Sequence, residues 1–92
     1  MNLKVRLSAS GNPDFNQPTN IGIRPSWMKA SSLKEASEKC VRFLQQHGLG
    51  GGNWTGGEVI DLDTGSVIAK ISFNGRAWTP GPYSSQKEIP LT

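Results

Sequence analysis

The stretch from Gly50 to Trp78, GGGNWTGGEVIDLDTGSVIAKISFNGRAW, constrains the fold most, because it reads as a β-meander. Val67, Ala69, Ile71 and Phe73 alternate with Ile68, Lys70 and Ser72, the period-two pattern of a strand with one core face. Asn74-Gly75 supplies two residues that tolerate positive φ, so a two-residue type I′ turn is expected there, with the chain returning through Arg76-Ala77-Trp78. That register sets Ile71 opposite Trp78, a cross-strand pair contributing about 0.2–1 kcal/mol. Pro80 then stops the ladder. Upstream, Glu58 to Leu62 reads as a second strand, joined through Asp63-Thr64-Gly65, where Gly65 suits the left-handed position of a three-residue or bulged hairpin loop. A three-residue loop sets Val59 opposite Ala69 and a two-residue loop sets Ile60 there; the doubly apolar strand fits either.

A chain of 92 residues is one small domain with a modest core. Three Trp and three Phe favour a globular fold, while eleven Gly and six Pro imply much irregular backbone. The net charge of +3 is uneven: residues 1–34 hold Lys4, Arg6, Arg24, Lys29 and Lys34 against Asp14 alone, and the remainder is slightly acidic. A basic half attracts nucleic acid or acidic protein surfaces, although a dedicated DNA-binding module usually has a denser stripe. Cys40 is the single cysteine, which excludes a disulfide framework and a thiolate metal site. Lys4 and Arg6 interrupt any signal-like apolar run, and no segment approaches the roughly 20 apolar residues of a membrane span. A cytoplasmic protein is expected, which makes the sequon Asn53-Trp54-Thr55 a chance match.

Leu3, Val5 and Leu7 alternate with Lys4, Arg6 and Ser8, so residues 2–9 read as a half-buried strand with a charged outer face that blunts an edge or meets a polyanion. From Ser10 to Ala30 the periodicity disappears among Pro13, Pro18, Pro25, Gly11 and Gly22, and an irregular binding loop is expected. Phe15, Trp27, Ile21 and Ile23 either anchor this loop on the sheet or cap the core, while its amides offer hydrogen-bonding edges. Ser32-Leu33-Lys34-Glu35 is a capping box opening a helix of roughly four turns that Gly48 ends. Leu33, Ala36, Cys40 and Leu44 form its apolar stripe, flanked by Ser37, Val41 and Phe43. Residues 80–92 form a Pro-rich tail, expected to be extended or disordered, outside a single domain of residues 1–79.

Little here suggests catalysis. Cys40 lies on the apolar stripe as a small hydrophobe, and His47, the single histidine, suits the negative end of the helix dipole. Gly48–Gly52 follows a helix instead of opening one and lacks the Gly-Lys-Ser/Thr ending of a phosphate loop. Gly56-Gly57 either eases a connection or lets another backbone approach closely. Asp61 and Asp63 flank a hairpin end, where turn chemistry explains them. Trp54, Phe73 and Trp78 form either a base-stacking platform or, as the stronger reading, packing, with Phe73 and Trp78 beneath the helix.

The run GGNWTGGEV at 51–59, followed by AKISFNGRAW at 69–78, resembles a pattern in small proteins of phages and mobile elements. Among these it is similar to a phage anti-CRISPR family directed against the type I-F surveillance complex. The resemblance covers mostly the C-terminal half and carries no residue-level functional motif. It implies a stoichiometric inhibitor in the host bacterial cytoplasm that docks on Cas subunits and/or the CRISPR guide RNA and stops target DNA from hybridising.

The expected fold is therefore α+β: a four-stranded, mostly antiparallel sheet, strand–helix–three-strand meander, packed on one helix. The expected function is non-catalytic inhibition by occlusion, with no cofactor, metal, membrane or small-molecule substrate. The contact surface is assigned to Asn12, Phe15, Asn16, Gln17, Arg24, Trp27 and Lys29 from the loop, with Arg76 beyond the sheet end. The alternative is a small phage protein that binds free single-stranded nucleic acid with steep salt dependence.

Overall fold

A computed structural model describes residues 1–11 and 22–91. One helix, α1 (Leu33–Gln46), packs on a sheet built from β1 (Leu3–Leu7), β2 (Ser26–Ala30), β3 (Glu58–Asp61), β4 (Val67–Ile71), β5 (Ala77–Trp78) and β6 (Glu88–Ile89). The spatial order is β2-β1-β3-β4-β5-β6, and every neighbouring pair is antiparallel. The α+β layering is as expected, but the sheet has six strands where four were expected. The additional strands are β2, inside the segment read as irregular, and β6, inside the tail. As a result β1 is an interior strand between β2 and β3, and its charges blunt no edge.

The helix begins at the expected cap, Ser32, but with the return half of the capping box made to Ser31 instead of the Ser32 amide. Ser32 Oγ accepts from the Glu35 amide at 3.1 Å, and the Glu35 carboxylate accepts from the Ser31 hydroxyl at 2.9 Å. It ends in a Schellman closure, with Gly48 N–H donating to the Gln45 carbonyl and Leu49 N–H to the Leu44 carbonyl while Gly48 holds φ of 61°. Ala36, Ser37, Cys40, Phe43 and Leu44 are its buried face. Against them lie Leu3, Val5, Leu7, Ala30, Val59, Ala69, Ile71 and Ala77, one core cluster drawn from five strands. Burying side chains such as Leu3, Val5, Val59 and Ile71 stabilises the fold by about 1.5–3 kcal/mol each.

The first hairpin keeps one of its two expected registers and a left-handed Gly65, and the second departs from its expected turn. In the first, Val59 does face Ala69, but a bulge then shifts the register so that Ile60 meets Val67. Asp61 N–H donates to the Ser66 carbonyl, which leaves a four-residue loop with Gly65 at φ of 77°. In the second, Ile71 pairs with Ala77 and Lys70 with Trp78, so Ile71 does not face Trp78. Ser72 N–H donates to the Arg76 carbonyl, and Gly75 N–H donates back to the Ser72 carbonyl, around a three-residue loop with Gly75 at φ of 84°. Asn74 Oδ1 accepts from the Ser72 hydroxyl and the Arg76 amide, which holds this longer loop in place of the type I′ turn.

Gly57 is where two strands crowd the chain. Its amide donates to the Arg6 carbonyl and its carbonyl accepts from the Ile71 amide, each at 2.8 Å. With φ at 104°, a Cβ there would lie 2.1 Å from the Ile71 carbonyl oxygen. Of the two expected roles for Gly56-Gly57, close backbone approach is the one found. Just upstream, Asn53 is buried and donates from Nδ2 to the Ser10 carbonyl at 2.9 Å, tying the segment before β3 to the end of β1.

A candidate anion-binding face

The pleat sends alternate residues of each strand to opposite sides. Because Leu3, Val5, Leu7, Val59, Ala69, Ile71 and Ala77 face α1, their neighbours form the other side of the sheet. Register then places a single cross-strand row there. Trp27 stands opposite Arg6, Arg6 reaches Glu58, Glu58 stands opposite Lys70, Lys70 opposite Trp78, and Trp78 opposite Glu88. A second row begins with Lys29 directly opposite Lys4, followed by Ile60 opposite Lys4.

The charges on this face are unequally matched. Arg6 Nη1 lies 3.9 Å from Glu58 Oε2, an electrostatic pair beyond hydrogen-bond range, and that buried oxygen has no hydrogen-bond partner among the described residues. Arg76 Nη1 lies 4.0 Å from Glu88 Oε1, with both side chains at least half exposed, so this pair is worth little. Lys4 has an aromatic neighbour: its Nζ sits 4.8 Å from the centroid of the Trp27 ring, a cation–π contact. Trp27 is 45% exposed.

At the opposite end of the sheet an open groove of about 910 Å³ is lined by Trp54, Phe73 and Trp78 together with Lys70 and Ser72. Both indole N–H groups are engaged internally, Trp54 Nε1 with the Ile71 carbonyl at 2.9 Å and Trp78 Nε1 with Ser72 Oγ at 3.1 Å. These bonds fix the rings at the groove wall, where Trp54 also packs on the core with its ring centroid 6.0 Å from that of Phe43. Phe73 is half exposed in the β4–β5 loop, and Trp78 lies on the side away from α1. The expectation that Trp78 sits beneath the helix is therefore wrong, because the three-residue loop moves it one position along the ladder, whereas Phe73 also lines a smaller cavity with Val41, Leu44 and Gln45 of α1.

Of the assigned contact residues, Asn12, Phe15, Asn16 and Gln17 lie outside the described residues. Trp27 and Lys29 come together on the face through β2, a strand and not a loop, and exposed Arg24 precedes it. Arg76 is separate, at the β5–β6 margin beside Glu88. Lys70 was missed as a contact residue although its place on the polar side of a period-two strand was readable. What the sequence did not supply was the strand order that brings it into line with Arg6 and Trp27.

The residues set aside as structural have matching environments. Cys40 is fully buried, and its thiol is pushed up from 9.0 to about 12, first by burial and then by the negative charge of Glu58. His47 caps the helix and meets Phe43 edge-on, with ring centroids 4.8 Å apart. Asp61 Oδ1 accepts from the Asp63 amide at 2.9 Å, a local turn bond. Among the described residues no three His, Cys, Asp or Glu side chains cluster as metal ligands, and no helix is long and apolar enough to cross a membrane. Comparison with protein-family models, characterised proteins and solved structures finds no match to this chain.

Proposed function

We propose that this protein is a non-catalytic inhibitor that works by occlusion, laying the sheet face opposite α1 against a larger anionic assembly. The observation that carries the reading is the composition of that face. Lys4, Arg6, Lys29 and Lys70 stand with exposed Trp27 against Glu58 and Glu88, and the one described helix covers the other side. Cations interspersed with an aromatic ring suit a phosphate-rich or acidic partner. A rigid sheet holds them without ordering a loop on binding, which favours affinity.

The target follows from the resemblance of the 51–59 and 69–78 runs: a type I-F CRISPR surveillance complex in the bacterial cytoplasm, contacted on Cas subunits and/or its guide RNA, so that target DNA no longer hybridises. No cofactor enters this reading. The test mixes the purified protein with a guide-loaded type I-F complex and follows capture of labelled target DNA by gel shift. Wild-type protein should abolish capture at stoichiometric amounts, and the triple variant Lys4→Glu, Lys29→Glu, Lys70→Glu should restore it. DNA capture that is undiminished at saturating wild-type protein removes this function.

A further inference from the structure

Lys4 and Lys29 are directly opposed across β1 and β2, and like charges in that position destabilise a sheet. No ion pair among the described residues neutralises either one. Lys4 instead leans over the ring of Trp27, the residue two before Lys29 on the same strand face. A repulsive pair beside an exposed indole weakens the fold and burdens the surface, yet both features are complementary to one kind of ligand.

The same pairing of lysine with tryptophan recurs across the sheet. Lys70 stands opposite Trp78, beside the groove that Trp54 and Phe73 complete. Between the two lies Glu58, flanked by Arg6 and Lys70, while Glu88, opposite Trp78, lies 4.0 Å from Arg76, so each of these negative charges has a cation beside it. The β1–β2 pair and the β4–β5 pair are separated by three strand spacings, about 14 Å. Other sheets span that scale with two or three stacked bases.

We infer that this face binds single-stranded nucleic acid running across the strands. One phosphate sits between the Lys4 and Lys29 ammonium groups with its base on Trp27, and a later nucleotide places its phosphate on Lys70 and its base in the Trp78–Phe73 groove. The inference rests on the reading that this face is the docking surface, and it selects nucleic acid over acidic protein as what the face touches. Phosphate between the two lysines turns their repulsion into attraction and draws Lys4 off the indole, opening the ring for stacking. An acidic protein side chain would meet the lysines equally well but has no use for two aromatic stations, on β2 and β5, four strand spacings or about 19 Å apart.

The test is fluorescence polarisation with labelled eight-residue oligo(U) and oligo(dT), titrated across a salt series, with polyglutamate as competitor. Wild-type protein should bind with a salt slope of about 0.7 per phosphate contact, and Lys29→Gln should lower both affinity and slope. Trp27→Ala and Phe73→Ala should each weaken binding roughly five- to a hundredfold with the slope unchanged, and Trp27→Phe should recover most of the loss. Thermal melts confirm that each variant is folded. Absence of oligonucleotide binding at low salt overturns the inference, as does equal displacement by polyglutamate at matched charge, which marks an acidic protein partner. Either result leaves inhibition of the surveillance complex to stand or fall on its own gel shift. Conversely, oligonucleotide binding without inhibition removes that target and keeps this site.

Discussion

Replacing Gly57 by alanine tests the most crowded point of the sheet, and Gly65→Ala provides a matched control. Both glycines hold positive φ, 104° and 77°, but a Cβ at Gly65 meets nothing within 4 Å whereas one at Gly57 falls 2.1 Å from the Ile71 carbonyl oxygen. Gly65→Ala therefore adds only backbone strain, about 1–2 kcal/mol. Gly57→Ala adds comparable or greater strain, about 1–3 kcal/mol. It also forces β4 away, adding about 1–3 kcal/mol for overpacking. The Ile71 amide bond to the Gly57 carbonyl, 2.8 Å in the native sheet, is then stretched or lost, a further 0.5–1.5 kcal/mol or about that. The expected loss is about 3–6 kcal/mol, a large part of the roughly 5–15 kcal/mol that holds a domain together. Urea unfolding of the three proteins, read by tryptophan fluorescence, measures the difference. If Gly57→Ala and Gly65→Ala shift the midpoint equally, the close approach of β4 to Gly57 is refuted, since strain alone would account for both.

Lys29→Glu should raise stability by up to about 1 kcal/mol by converting a like-charge cross-strand pair into an attractive one, while abolishing binding at the face; a melt that falls instead contradicts the opposed geometry of Lys4 and Lys29. Cys40 should resist Ellman's reagent at pH 8 in the folded protein and react on unfolding. Its folded-state pKa is raised to about 12, so its contribution is complete below pH 9 and is lost as pH climbs from 9 toward 12; stability of Cys40→Ala should show a shallower decline over that window. Asn53→Ala should destabilise by about 0.5–1.5 kcal/mol for each hydrogen bond lost, because the Ser10 carbonyl and Gly50 amide lose the side chain that joins them, and a midpoint within error of wild type would count against that role.

The parts of the fold that were legible are those where one local signal had no rival. Ser32 and Glu35 mark the helix start, Gly48 marks its end, and Leu3, Val5 and Leu7 declare an inward face that the structure buries to within 3% of complete. β2 was hidden because Trp27 and Met28 are adjacent, apolar and both over 40% exposed, so an edge strand shows no alternation to detect. β6 is two residues long, below any periodic signal, and is held by pairing with β5. The second hairpin misled through Asn74-Gly75: that dipeptide suits a type I′ turn, but the Asn74 side chain and the packing of Ser37 Oγ on the Gly75 carbonyl favour a loop one residue longer. The difference moved Trp78 to the other side of the sheet. Half of the candidate site was thus readable as residue types, in Lys4, Arg6, Trp27 and Lys29, and its alignment depended on long-range order.

The position of β1 has a consequence for how the chain is made. This strand is made before the other five described strands, yet one of its two neighbours, β3, is synthesised some fifty residues later, after the helix is complete. Until then Leu3, Val5 and Leu7 can be shielded by β2 and α1, but the hydrogen-bonding rim that awaits Val59 stays open, a transient adhesive margin on the nascent chain. Slowing elongation between Gly48 and Gly57 should accordingly raise the fraction of newly made protein that aggregates.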